Sequence, residues 1–392
     1  MKTETSFKQL NTTLKQIFAN SQKYITANPS HTSHTLISNN LITSILCSYG
    51  VCSDHLHKFN QTFNKLLNTP NKNNQTHIKV FILENKTVFQ KIESIFLRLD
   101  WSTSPQVDQF NLATHNTSKS KCTADNKFYI IKCYDHFFYL YNTKSNECLM
   151  VVKNEKKVLT MINVLLLTPY LLYGDLYAVH GGLVSDGKNN VLLCNTSLGG
   201  KTTFAILFLS NGWQIITEET TYITKHGKIL NYNIRNYFNI RIGTYLEFKD
   251  FFTKAGIINH SFLSKTHLNK KELFEFGKKE QLTIDFDILS KNICNMTTNQ
   301  ITHILKVSIK NNKSGIDIEK NNPTDSVTKF LELSLAPTVM LFKSLIKVNN
   351  KINRKQRKKE LTQIFKNTKN YSVSSGFDYR KNFNFLTRKI GI

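Results

Sequence analysis

The sequence predicts a mixed α/β protein, and three observations carry that expectation. The apolar run VLLC (191–194) leads through a glycine-bearing loop into the helical pattern TTFAILFLS, the order of a strand, a tight loop and a helix start. HIKVFILE (77–84) and TVFQKIESIFLRL (87–99) repeat the order of strand followed by amphipathic helix. From Lys127 the period shortens: KFYIIKCYDHFFYLYN and ECLMVVKN read as β-strands joined by a TKSN turn.

Taken in order, residues 7–25 place Phe7, Leu10, Leu14, Ile17 and Phe18 at helical spacing. The stretches 34–51 and 52–69 read as two further helical segments broken near Gly50, so residues 1–124 form a mainly helical N-terminal accessory region. Their His-rich pieces, SHTSH and DHLH, have no thiol or carboxylate set converging on them and fit capping or solvated roles. The polar stretch 100–126 reads as a linker or long surface loop. Residues 125–335 form the core domain. In it, 156–173 is a helix leading into YAVHGGLV (177–184), a strand. SDGKNN (185–190) is an Asp-Gly hairpin turn, and VLLC returns. Phe204, Leu207 and Phe208 face inward from the next helix, which stops at Gly212. WQIIT (213–217) is a strand ending in Glu218 and Glu219, and TYITKHGKIL is a hairpin with a His-Gly turn. HLNKKELFEFGKK is helical, 308–326 reads as a mobile loop, and 331–348 is apolar enough to be buried. Residues 336–392 are a basic C-terminal region docking on the core. Its run KINRKQRKK (351–359) reads as a solvated helix face, with a grip on an acidic peptide or nucleic acid as the competing reading.

The 392 residues suit two domains, or one with a large elaboration, and 27 Phe with 15 Tyr are ample for a packed core. The net charge of +25 favours acidic partners: an acidic peptide, nucleic acid or a membrane surface. Only seven of the 52 basic residues are arginine, which argues against dedicated reading of bases or phosphate backbones, where guanidinium forks do better. The seven cysteines form no C-x-x-C pair, so a zinc site is not indicated and a reducing cytoplasm is expected. The N-terminus lacks the apolar core of a signal peptide. The most apolar run, 162–179, is broken by Pro169 and Asp175, so no membrane span is expected.

The chemistry concentrates between residues 178 and 222. A phosphate-binding loop has the pattern G-x-x-x-x-G-K-[ST]. Here Asn195 stands at the first glycine, Thr196, Ser197, Leu198 and Gly199 follow, and Gly200, Lys201 and Thr202 complete it, with Thr203 next. Asn is the residue other than glycine that best tolerates positive φ. Backbone N–H groups of 196–202 would wrap phosphate oxygens, Lys201 would place a point charge on them, and the Thr202 hydroxyl would take a Mg²⁺ position. The competing reading is a glycine turn leading into a helix with a surface lysine. In open α/β sheets ligands collect at the carboxyl ends of strands, where Glu218 and Glu219 stand.

H-G-x-x-V, a hairpin, an apolar strand, S-x-G-G-K-T-T, a helix and I-I-x-E-E together resemble the HPr kinase/phosphorylase group. That group includes the serine kinases acting on ribosomally made peptides, and it shares a phosphoenolpyruvate carboxykinase-like P-loop core. The resemblance spans about 45 residues of this chain. It departs from the family pattern at Asn195, where the family has glycine, and at Glu218–Glu219, where the family has an Asp pair. It implies an ATP- and Mg²⁺-dependent serine kinase whose acceptor is a protein or peptide, with homo-oligomerisation left open. The loop 195–203 would bind the nucleotide. Thr202 and Glu219 would hold the metal, Glu218 would accept the hydroxyl proton, and His180 would orient or charge-stabilise the transferring phosphoryl. Arg241, and less so Arg235, would approach the phosphates or the acceptor. Two other classes compete: a module that binds nucleotide or peptide without turnover, and a basic nucleic-acid-associated protein.

Overall fold

The computed structural model describes residues 2–27, 32–38, 41–47, 76–98, 118–122, 128–133, 137–142, 145, 147–153, 176–195, 199–218, 220–230, 237–289, 299–310, 315–322, 354–376 and 380–392. The chain forms two compact units: Met1–Asp175 with Pro337–Lys351, and Leu176–Ala336 with Ile352–Ile392. The class is mixed α/β. The expected boundary at 124/125 falls inside the first unit, and residues 336–392 are shared between the two.

In the first unit the described elements are α1 (Lys2–Ala27), β1 (Thr32–Ser38), β2 (Leu41–Cys47), β3 (Thr76–Glu84), α2 (Lys86–Arg98), β4 (Ser118–Cys122), β5 (Phe128–Cys133), β6 (Phe137–Asn142) and β7 (Glu147–Val152). The strands make one sheet in the order β1-β2-β3-β7-β6-β5-β4, parallel at β2–β3 and β3–β7 and antiparallel elsewhere. Asn85 starts α2: its Oδ1 accepts the Val88 N–H at 2.9 Å, an N-cap that turns the chain from strand to helix. Leu14, Ile17 and Phe18 of α1 and Phe89, Ile92 and Phe96 of α2 pack on Phe81, Leu83, Phe138, Leu149 and Val151.

This corrects the N-terminal reading. Residues 34–38 and 41–47, within the stretch 34–51 expected to be helical, lie in the antiparallel pair β1–β2, and β2 pairs parallel to β3. Thr35, Ile37, Thr43 and Ile45 are β-branched, stiff at χ1 and suited to a pleated surface, and a neighbouring strand was available to pair with them. The helices expected over 52–69 and 156–173, and the buried segment over 331–348, lie outside the described residues.

The second unit runs β8 (Leu176–Val179), β9 (Gly181–Ser185), β10 (Asn190–Cys194), α3 (Lys201–Ser210), β11 (Gln214–Thr217), β12 (Thr221–Thr224), β13 (Ile229–Leu230), β14 (Tyr237–Arg241), α4 (Ile242–Glu247), α5 (Lys249–Lys254), α6 (His260–Leu263), α7 (Lys270–Lys279), β15 (Gln281–Asp285), α8 (Phe286–Leu289), β16 (His303–Ile309), β17 (Ile316–Lys320), α9 (Arg354–Ile364), β18 (Lys369–Ser375) and α10 (Phe383–Ile390). A six-stranded sheet has the order β11-β9-β10-β16-β18-β17; β8, β12 and β13 make a three-stranded sheet. β10, β16 and β18 are mutually parallel neighbours. They are covered on both faces, which is why VLLC reads as a continuous apolar run. Val191, Leu193, Leu305 and Val373 face Phe204, Leu207 and Phe208 of α3 and Phe383 and Leu386 of α10. Leu192, Cys194 and Ile304 face the other way, with Leu361 and Phe365 at the end of α9.

Two expectations in this unit are revised. The stretch 308–326, expected to be a loop, contains the end of β16 and all of β17, which pairs antiparallel with β18. YAVHGGLV is not one strand: it breaks at His180 into β8, which pairs with β12, and β9, which pairs with β10 and β11.

Candidate functional site

The break at His180 organises the site. There the chain leaves the three-stranded sheet and enters the six-stranded one. β11 belongs to the six-stranded sheet and β12 to the three-stranded one, so this part of the chain makes the reverse passage. His180 and Glu218 therefore share one corner of the fold, reached from segments distant in sequence. The glycines after His180 permit this. A Cβ on Gly181 would meet the Leu193 carbonyl oxygen at 2.7 Å, and one on Gly182 would meet the Glu218 carbonyl oxygen at 2.6 Å.

The start of α3 stands at the same corner. Gly200 is the α3 N-cap in the left-handed region (φ 95°), with no side-chain cap and no acidic residue in the first turn. Such a helix start leaves N–H groups and the positive end of the dipole for an anion. Lys201, first residue of α3, lies with Nζ 3.0 Å from His180 Nε2 and donates to the Asn195 carbonyl at 2.9 Å. The Thr202 hydroxyl donates to Glu218 Oε1 at 3.3 Å. His180 is thus brought to Lys201, and Thr202 to Glu218.

Asn195 acts differently from expectation. Its side-chain amide donates to the Val307 carbonyl of β16 and, at 3.3 Å, to the Gly199 carbonyl, so it ties the start of the loop to its end and to the neighbouring strand. A Cβ on Gly199 would lie 2.1 Å from Asn195 Nδ2. Thr203, expected to contact nucleotide, is buried, and its hydroxyl lies 2.8 Å from that of Thr244. Only its backbone N–H remains for an anion. Thr196, Ser197, Leu198, Glu219 and Arg235 lie outside the described residues.

The Thr203–Thr244 contact joins the first turns of α3 and α4. Arg241 is the residue that caps α4, and its Nη1 is buried without a hydrogen-bond partner among the described residues. Burial lowers the guanidinium pKa, the mark of a charge drawn out of water. Cys194, immediately before the loop, is no nucleophile. Burial pushes its thiol up to about 12 against the opposing pull of Lys201 and Lys306, and the S–H points to the Leu305 carbonyl.

Sequence reasoning missed Thr217 and Thr221, both fully buried at the corner. Their hydroxyls lie 2.7 Å apart, and Thr221 donates to the Gly181 carbonyl at 2.9 Å. Their type and the four-residue spacing around Glu218–Glu219 gave no signal without the fold.

The oxygens present fit Mg²⁺. Adjacent ligands of an octahedral ion held at about 2.1 Å lie roughly 3 Å apart, close to the Thr202–Glu218 separation. Mg²⁺ takes one or two carboxylates plus phosphate oxygens, so it does not need the larger set of His, Cys, Asp or Glu that is absent among the described residues. No helix among the described residues is long and apolar enough to cross a membrane. The chain matches no protein-family model and no curated protein sequence.

Proposed function

We propose that the second unit is a phosphoenolpyruvate carboxykinase-like P-loop core that binds ATP with Mg²⁺ and transfers the terminal phosphoryl to a Ser hydroxyl of a protein or peptide, as an HPr kinase-like serine kinase. The observation that carries the reading is the pairing of Lys201 with His180 and of Thr202 with Glu218 at the start of α3. Phosphoryl transfer asks little covalent chemistry of a protein. It asks for positioning and for positive charge around oxygens that share the developing charge.

In this reading the α3 N-terminus and Lys201 hold the β- and γ-phosphates. Thr202 and Glu218 would hold the metal, which would supply neutralisation of the phosphate charge. Glu218 thereby takes the metal role first given to Glu219, and Glu219, next in the chain, is the carboxylate for the hydroxyl proton. His180 faces the transferring group beside Lys201. Arg241, with a buried guanidinium N–H group to spare, serves the phosphoryl or the acceptor.

The test is transfer of labelled phosphate from ATP to candidate acceptors by wild type, Glu218→Gln and Glu219→Gln, each with Mg²⁺-dependent ATP binding measured in parallel. Loss of the Mg²⁺ effect in Glu218→Gln, and loss of transfer with ATP and Mg²⁺ still bound in Glu219→Gln, is the expected pattern. The opposite pattern restores the first assignment. Mg²⁺-ATP binding without transfer to any acceptor would favour a binding module without turnover. No ATP binding at all, with steeply salt-dependent nucleic-acid binding unaffected by Lys201→Ala, would favour the basic nucleic-acid-associated class.

A further inference from the structure

We infer that Thr217 and Thr221 are positioning residues that set the Glu218 carboxylate against Thr202 and thereby govern how strongly the site couples nucleotide to Mg²⁺. The inference rests on the nucleotide-binding reading above.

The pairing of β11 with β9 is irregular. Gln214 pairs with Ser185 and Ile215 with Val184, but Thr217 rather than Ile216 pairs with Leu183. One extra residue, Ile216, has no partner in β9, and it stands two positions before Glu218. A bulge of this kind bends the strand, disrupts its ladder and re-aims the side chains beyond it.

The hydroxyl of Thr217 repairs the ladder: the Leu183 N–H donates to Thr217 Oγ1 at 3.2 Å. Each threonine has a single hydroxyl proton, so the rest of the chain is determined. Thr221 spends its proton on the Gly181 carbonyl. Thr217 is therefore the donor in the 2.7 Å contact with Thr221. The run is directional: Leu183 N–H to Thr217, Thr217 to Thr221, Thr221 to Gly181. All three of its hydrogens find acceptors, at a site where neither threonine has any exposure to water.

This chain grips both ends of the 218–220 passage and fastens them to the residue after His180. The Glu218 main chain is held from a further side, where Gly182 leaves room for its carbonyl and no Cβ would fit. The bulge aims Glu218 and the hydroxyls lock the aim. Among the described residues the two hydroxyls bond to Leu183, to each other and to Gly181. The local spacing of Thr202 and Glu218 is what the pair controls. Residues that orient metal ligands through one intervening group typically change metal affinity or activity by about 10–100-fold when altered.

The experiment measures ATP affinity with Mg²⁺ and with EDTA for wild type, Thr221→Val, Thr221→Cys and Thr221→Ser, with thermal melting to establish folding. Valine keeps the shape and removes the hydroxyl; cysteine is a second probe, small and weakly donating, should valine not fold. We expect Thr221→Val to lower the Mg²⁺ enhancement about tenfold, with the EDTA affinity within about twofold of wild type. Thr221→Cys should fall between, and Thr221→Ser should restore the enhancement. An undiminished Mg²⁺ enhancement in a folded valine or cysteine variant overturns the inference. So does a loss of equal size with and without metal, which is the mark of general loosening. Wild-type protein that binds no ATP in either condition would instead remove the nucleotide reading itself, and this inference with it.

Discussion

Lys201 Nζ stands 3.0 Å from His180 Nε2 and is held at the same time by the Asn195 carbonyl. An ammonium has only donors, so Nε2 is the acceptor of this contact. A phosphate anion would compete with both acceptors for the same ammonium. His180→Gln should therefore change ATP affinity, read by calorimetry, less than removal of the lysine does. A larger loss in the histidine variant would show that the ring itself holds the phosphates.

Removing the lysine is the coarser probe. Lys201→Ala takes away the one side-chain charge at the start of α3, where charge-assisted contacts to phosphate are worth about 1.5–3 kcal/mol, or roughly 10- to 100-fold in ATP affinity. The N–H groups of the helix start remain, so weak binding should persist. An unchanged affinity would leave the loop as a glycine turn with a surface lysine.

Asn195 and Gly199 should behave as one unit. Gly199→Ala drives a Cβ to 2.1 Å from the Asn195 amide, and Asn195→Gly deprives the Val307 and Gly199 carbonyls of their donor. Each change alone should cost about 1–3 kcal/mol in denaturant unfolding. In the Asn195→Gly background the alanine meets no amide and should cost much less. Additive losses would show that the clash is absorbed elsewhere.

How much of this was legible depended on how local the cause was. VLLC, the loop and α3 follow from neighbours in sequence, and so do the Asp-Gly and His-Gly turns, where Gly187 and Gly227 take positive φ. The break at His180 was hidden. Val179 and Gly181 are both apolar strand positions, and only their partners, Thr221 and Cys194, assign them to different sheets. β1 and β2 were hidden for a similar reason: their short apolar runs fit either period until β3 offers an edge. The role of the Asn195 amide was hidden because its acceptor, the Val307 carbonyl, lies on a strand distant in sequence.

Gly200 is held by two constraints at once. Its φ of 95° costs a side-chain-bearing residue about 1–2 kcal/mol, and an added Cβ would lie 2.8 Å from Ile309 Cγ1. Ile309→Ala should relieve the second constraint and leave the first. Gly200→Ala should thus weaken ATP binding strongly alone and less in the presence of Ile309→Ala. Full rescue would mean the backbone angle is not what the loop requires.

His303 gives the fold a pH dependence of known sign. It lies in β16, 2 % exposed, with Nε2 3.3 Å from the carbonyl of Ile390 at the end of α10. Burial lowers its pKa from 6.5 to about 4; Lys369 pushes the same way, while the Ile390 carbonyl and Asp186 oppose. Above pH 6.5 the ring is neutral in both folded and unfolded chains and contributes no pH dependence. Between 6.5 and 4 the unfolded chain takes a proton that the folded one refuses, so stability falls as pH falls, by no more than about 1.4 kcal/mol per pH unit. Unfolding by denaturant at several pH values across this window should show the slope. His303→Gln, which keeps a donor for Ile390 and cannot titrate, should flatten it. An equal slope in the variant would assign the acid sensitivity to other groups and would leave the hold of α10 on β16 independent of this ring.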